Sequence, residues 1–215
     1  MSAQQFITII ACFFSALGTP VLAEGNLKPM SGSIPAEKPL VIGDTIPNVT
    51  VTSIKGKEIS LRRLISKKPS IVIFYRGGWC PYCNTHLAKI QQIEPDLIHL
   101  GYQIIAISAD RISELDKTIE KQHLKYSLYS DSTMNAAKAF GLAYTVDSIT
   151  LNKMKLHGVD LEYASGQKHH MLPVPAAFVV DKKGIIKFAH SNPDIKVRID
   201  PNDLLGKARE ALEAK

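Results

Sequence analysis

Cysteine is scarce in this chain, three among 215 residues, and there is a single Trp. So few cysteines exclude a scaffold stapled by several disulfides. Lys and Arg outnumber Asp and Glu by 26 to 20, a formal charge of +6, yet the basic residues are scattered and form no long run. They do not interleave with aromatics, so no nucleic-acid partner is expected, and the surplus reads as a solvated surface. Internal repeats are absent. What is present is a chain with 45% apolar residues, of a length that suits one sizeable core.

The N-terminus stands apart. Phe6 to Ala23 is apolar and ends in Val21-Leu22-Ala23, after which Glu24-Gly25-Asn26 turns polar. This reads as a secretory signal peptide over residues 1–23, cleaved after Ala23. The run is short for a membrane span and holds Gly18 and Pro20, so no stable membrane insertion is expected once it is removed. Cleavage removes Cys12 and leaves 215 − 23 = 192 residues whose only cysteines are Cys80 and Cys83. Redox chemistry in the periplasm or outside the cell is the expectation. Residues 24–39, rich in Gly, Pro, Ser and Lys, read as a flexible leader, and residues 40–215 as one domain.

Ile71 to Tyr75 is a run of apolar, β-branched and aromatic residues, as suits a central strand covered on both faces. Arg76 closes it, and Gly77-Gly78 allow a sharp turn. Trp79-Cys80-Pro81-Tyr82-Cys83 follows, with Leu87, Ile90, Ile93 and Leu97 at helical spacing to about residue 99. With Cys80 as the N-cap, Pro81 takes the first helical position, where its missing N–H costs nothing. A thiolate at Cys80 would then face the unpaired first-turn amides and the positive end of the helix dipole. Both lower a thiol's pKa. As the more exposed of the two, Cys80 is the expected nucleophile on these grounds, and Cys83 is placed to resolve a mixed disulfide. Cys-x-x-Cys after a strand is a redox signature. The alternative is zinc: His86 extends the spacing, and His169-His170 could complete a ligand set, though bland loop histidines are the favoured reading.

Around this stretch, residues 48–53 and 59–61 read as a hairpin, and 61–67 as a short helix. Strands are expected at 102–108, 127–129, 176–180 and 185–189. Helices are expected at 113–122 (with Ser113 as cap), at 134–140 (closed by Gly141) and from Pro201. Residues 142–172 are the least patterned and read as a partly helical insertion. Strands alternating with helices make this an α/β chain with a mixed sheet flanked by helices.

With these pieces in place the chain resembles the thioredoxin fold, and more closely the peroxiredoxins of the alkyl hydroperoxide reductase/thiol-specific antioxidant group. The resemblance covers about residues 40–190. It rests on Gly43-Asp44-x-x-Pro47, the strand-turn-Cys segment, Ile104 to Ser108, Asp131 to Gly141 and Phe178-Val179-Val180-Asp181-x-x-Gly184. It implies that Cys83 occupies the peroxidatic position. The family's Thr and Pro positions fall on Cys80 and Arg76, and its later Arg falls on Pro175, so the segment matches a subgroup bearing Cys-x-x-Cys. Pro175 also resembles the cis-proline that lies against the cysteines of thioredoxins. Arg76 is a candidate replacement for the missing guanidinium, and Trp79 resembles the Trp beside thioredoxin-like sites, with packing as its main role.

Two chemistries follow. One is a thiol peroxidase that reduces hydrogen peroxide or an organic hydroperoxide through Cys80 and Cys83, reset by an external thiol donor such as a thioredoxin-like protein. The other is a thiol–disulfide exchanger acting on protein disulfides through Cys80. A zinc- or partner-binding module without catalysis is third. No cofactor is expected in the first two.

Overall fold

The computed structural model describes residues 38–213, and every side chain from Ser70 to Tyr75 is buried. A strand without a wet face needs cover on both sides, and the chain supplies it in order. A hairpin of β1 (Thr50–Ser53) and β2 (Glu58–Ser60) leads into α1 (Leu61–Ile65) and then the central strand β3 (Ser70–Tyr75). Helix α2 (Pro81–His99), β4 (Gln103–Ser108), α3 (Ile112–Gln122) and β5 (Ser127–Ser130) follow as two parallel crossovers. Next come α4 (Asn135–Ala139), β6 (Ala143–Thr145), α5 (Ser148–Leu156), α6 (Leu161–Ser165) and β7 (Met171–Pro173). The chain closes with β8 (Ala176–Val180), β9 (Ile186–Ser191) and α7 (Pro201–Glu213).

One seven-stranded mixed sheet results, ordered β2-β1-β5-β4-β3-β8-β9, with β6 and β7 as a separate pair. The two-residue period of β3 divides the core. Val72 and Phe74 point to one face, where Phe74 packs on Phe140 and Phe178 with ring centroids 4.9 and 6.3 Å away. Ile71, Ile73 and Tyr75 point to the other, against Leu87, Ile90 and Leu97 of α2 and Leu204 and Ala208 of α7. Burying side chains of this size contributes roughly 1.5–3 kcal/mol each, so the strand is held from both layers. This is the expected α/β, thioredoxin-like architecture, and residues 142–172, expected to be partly helical, carry α5 and α6 between β6 and β7.

Several local expectations are corrected. Helix α3 begins at Ile112, not Ser113, and its N-cap is Arg111, which makes no side-chain cap. A tertiary bond sets the start: the Arg111 N–H donates to Ala164 O at 2.8 Å and holds the preceding residue extended. Helix α4 is shorter than 134–140. Met134 is its N-cap at φ 60°, and the buried Asp131 carboxylate accepts from the Ala136 and Ala137 N–H groups instead. Helix α1 ends at Ile65 rather than Lys67. Among the described residues no peptide bond is cis. Pro175 is therefore trans, the form the tertiary amide itself prefers. The signal peptide, Cys12 and the leader to residue 37 lie outside the described residues.

Candidate active site

The turn between β3 and α2 is closed by the backbone. The Cys80 N–H donates to Gly77 O at 3.1 Å, the Asn84 N–H to Cys80 O at 3.0 Å, and Asn84 Nδ2 to Gly78 O at 2.7 Å. Cys80 is the N-cap of α2 and Pro81 takes its first position, as expected. Gly77 and Gly78 leave no room for a side chain. A Cβ on Gly77 would lie 2.3 Å from Trp79 Nε1 and 2.6 Å from Asp110 Oδ1, and one on Gly78 only 1.8 Å from Thr118 Oγ1. Two elements thus close directly onto the bare turn.

Both cysteines are free thiols, and each is only 1% exposed. Exposure therefore does not favour Cys80 over Cys83, contrary to the sequence expectation. Half-buried Trp79 packs against both core layers. Electrostatics separates the two sulfurs. The Cys80 side chain makes no closed capping bond. Even so, the Cys83 thiol, then the Cys83 backbone N–H, then the Arg76 and Arg198 guanidiniums favour its thiolate and bring its pKa down to about 6 against burial. Cys83 moves the other way: its contact with Cys80, burial and the Cys80 charge all raise it. Cys80 is the thiolate near neutral pH, and Cys83 keeps its proton.

Arg76 is buried at 6% exposure, with its guanidinium carbon 5.0 Å from the Trp79 ring centroid. Its Nε has no hydrogen-bond partner among the described residues. It is not the surface ion-pair residue that its charge alone would suggest. Tyr144 of the insertion lies within its electrostatic reach. Pro175 is buried and directly precedes Ala176, which pairs with Phe74, so it stands at the level of Tyr75 at the same end of the sheet as the cysteines. Pro81 and Tyr82 are exposed on the first turn of α2.

His169 and His170 are not brought to the cysteines. His169 Nε2 lies 2.7 Å from Ser132 O, and His170 Nε2 2.7 Å from Glu162 Oε1. No group of three His, Cys, Asp or Glu side chains converges on a metal position among the described residues.

Two residues here escaped the sequence reading. Arg198, in the loop between β9 and α7, reaches within 3.9 Å of Cys83 Sγ through Nη2. Nothing local marks it, since the contact spans 115 residues of sequence. Asp110, 1% exposed just beyond β4, accepts from the Gly78 N–H at 2.7 Å, while its Oδ1 has no partner among the described residues. Burial pushes its pKa up to about 7, against the Gly78 hydrogen bond. An acid directly after an apolar strand was the available signal. The insertion covers this side: a cavity of about 10 Å³, room for roughly one water, lies between Arg76, Trp79 and Asp110 and residues such as Ala164, His169 and Leu172.

A thiolate-bearing Cys-x-x-Cys at the N-terminus of a helix that follows a central strand is the mark of thiol redox proteins, and residues 42–189 match the AhpC/TSA family. The chain belongs to the AhpC/TSA family. Its curated relatives span both chemistries of that group. The Bacillus thuringiensis protein named Thiol-disulfide oxidoreductase ResA is 25% identical over 154 residues, 71% of each chain. Peroxiredoxin Bcp of Escherichia coli K12 is 25% identical over 104 residues, 48% of this chain and 66% of its own. Among solved structures, Peroxidoxin BcpB from Mycobacterium tuberculosis superposes with a TM-score of 0.62 at 18% identity, over 80% of this chain and 97% of its own. That likeness shows the fold. This AhpC/TSA member is a peroxiredoxin-like, thiol-dependent oxidoreductase.

Proposed function

We propose that the enzyme reduces a small hydroperoxide with Cys80 as the attacking sulfur. One observation carries this: the thiolate sits beside two guanidiniums at a position almost closed to solvent. A buried sulfur admits a peroxide far more readily than a folded protein's disulfide. Cleaving O–O also needs positive groups near the departing oxygen. Arg76 and Arg198 supply that charge where the family's usual Pro, Thr and Arg are replaced.

The steps balance. The Cys80 thiolate attacks ROOH, the O–O bond breaks, a proton is taken up, and ROH leaves with Cys80 as the sulfenic acid. The Cys83 thiol then attacks that sulfur, water departs, and a Cys80–Cys83 disulfide remains. Two equivalents of an external thiol restore the pair. The family position would make Cys83 the peroxidatic residue, but its raised pKa supports the resolving role instead. Thiol–disulfide exchange through Cys80 is the second reading, supported by the ResA relative and by the same electrostatics.

Stopped-flow Trp79 fluorescence of the reduced protein tests this. With hydrogen peroxide, the wild type should oxidise far faster than a free thiol. Cys80→Ser should abolish the signal, and Cys83→Ser should halt at a trappable sulfenic acid. Peroxide reacting no faster than with a simple thiol, while a disulfide substrate reacts quickly through Cys80, would replace the peroxidase reading by exchange.

Export to the periplasm or beyond belongs to the same proposal. Its support is the apolar segment ending at Ala23 and a remaining chain whose only cysteines are the redox pair.

A further inference from the structure

A groove of about 450 Å³ lies between α2 and the segment that leads from β9 into α7, and it includes Tyr82, which stands between the two cysteines in sequence. Tyr82, His86 and Lys89 of α2 form one wall, and Lys196 and Arg198 of the β9–α7 loop form the other. Its volume is that of a small-ligand site.

Three features show what it suits. First, one of its wall residues touches the redox pair: Arg198 Nη1 donates to Val197 O at 2.8 Å, and Nη2 of the same guanidinium lies 3.9 Å from Cys83 Sγ. Second, it is cationic. Lys89, Lys196 and Arg198 form no ion pair among the described residues. The one acid on the wall, Asp200, is engaged at the start of α7, accepting from the Asn202 N–H at 2.8 Å. Third, its wall holds a buried ring nitrogen: His86 is 7% exposed, and its Nε2, itself closed to solvent, has no hydrogen-bond partner among the described residues.

We propose that this groove binds the electron donor, a small peptide thiol with carboxylates flanking its sulfur, and delivers that sulfur to the Cys80–Cys83 disulfide. The inference rests on the reading that oxidation leaves this disulfide for an external thiol to reduce. The lysines hold the donor's carboxylates, His86 and Tyr82 offer it polar and aromatic contacts, and Arg198 stands where its thiolate arrives. The donor thiolate RS⁻ attacks Cys83 Sγ and the S–S bond breaks. Cys80 departs as the thiolate, the better leaving group because its pKa is lower. A second RS⁻ attacks the donor sulfur of the mixed disulfide. RSSR leaves, and Cys83 takes up a proton. Two donor thiolates give up two electrons as RSSR forms, and the pair takes them up as the Cys80 thiolate and, with one proton, the Cys83 thiol. Peroxide then meets Cys80 from the Arg76 and Trp79 side, and the donor meets Cys83 from the Arg198 side.

The test uses glutathione as the anionic peptide thiol and cysteamine as a cationic one. Reduction of the oxidised protein is followed by Trp79 fluorescence at low ionic strength, with rates normalised to thiolate concentration. Glutathione should react at least about tenfold faster than cysteamine, and the Lys89→Gln/Lys196→Gln double variant should bring that ratio close to one, since each charge contact removed weakens attraction of an anion. In parallel, calorimetry with S-methylglutathione, which has the carboxylates but no exchangeable sulfur, should show saturable binding that the double variant loses. No preference for glutathione together with no saturable binding would overturn the groove assignment even if peroxide oxidises the pair rapidly. Saturable binding lost in the double variant, with a pair that peroxide does not oxidise, would keep the groove and remove the peroxidase reading.

Discussion

Asp110 shows how much a single buried group alters the molecule's behaviour. Its carboxyl, pushed up to about 7, keeps a proton in the folded state that the unfolded chain releases near pH 4. Between those values the folded protein binds more protons, so Asp110 makes stability fall as pH rises through that window and adds no further slope above it. The shift corresponds to up to roughly 4 kcal/mol. His86, drawn down to about 4 mainly by burial, acts with the opposite sign, losing stability as pH falls from about 6.5. Comparing Asp110→Asn with the wild type isolates the acid. Asn keeps an acceptor for the Gly78 N–H and has no charge to bury. The variant's stability relative to wild type should therefore rise by a few kcal/mol between pH 4 and pH 8 in urea titrations. A pH-independent difference between the two proteins would show that Asp110 is not buried as a titrating acid.

At the scale of elements, the redox pair depends on how α3 and α2 meet the bare turn after β3. The Gly78 position touches Thr118 of α3, whose Oγ1 donates to Glu114 O at 2.9 Å and has little freedom to move. Gly78→Ala should cost about 1–3 kcal/mol through overpacking. In a Thr118→Ala background the nearest clashing atom is gone, so the two changes should couple by roughly 0.5–3 kcal/mol in a double-mutant cycle. Strict additivity in denaturant midpoints would mean that the turn does not bear on α3. The cap positions of α3 and α4 follow the same logic. The Ala164 carbonyl, brought in by a tertiary contact, sets the start of α3, and the Asp131 carboxylate, five and six residues ahead of the N–H groups it accepts from, sets that of α4. Local propensity at Ser113 or Met134 does not. A reading of residue types had no access to the Ala164 contact, whereas Asp131 stood within its reach.

At the scale of the whole molecule, the two faces of β3 join everything: Phe74 with Phe140 and Phe178 on one side, and Tyr75 with the cysteines and α7 on the other. None of the described helices is long and apolar enough to cross a membrane. If the apolar N-terminal segment is a signal peptide, the protein recovered from the periplasm or medium should have the intact mass of residues 24–215, starting at Glu24. A product that retains residues 1–23 would remove the export proposal. The central strand, the Cys-x-x-Cys helix start, Pro81 in its first turn and the closing helix were all legible in the sequence, because a two-residue or helical period and a capping position are local properties. The distinction between the two cysteines was not. Both are equally buried, and Cys80 becomes the thiolate because Cys83 and the guanidiniums of Arg76 and Arg198 lie around it. Arg198 comes from the far end of the chain, and Asp110 meets Gly78 from 32 residues away. The sequence by itself determined an α/β chain with a mixed sheet and a Cys-x-x-Cys at a helix start, since periodicity and spacing encode those features over a few residues, and its resemblance to the peroxiredoxins implied the thioredoxin-like fold. Only the tertiary structure decided which sulfur its surroundings favour as the thiolate, because charge and burial act through space between residues that the sequence keeps apart.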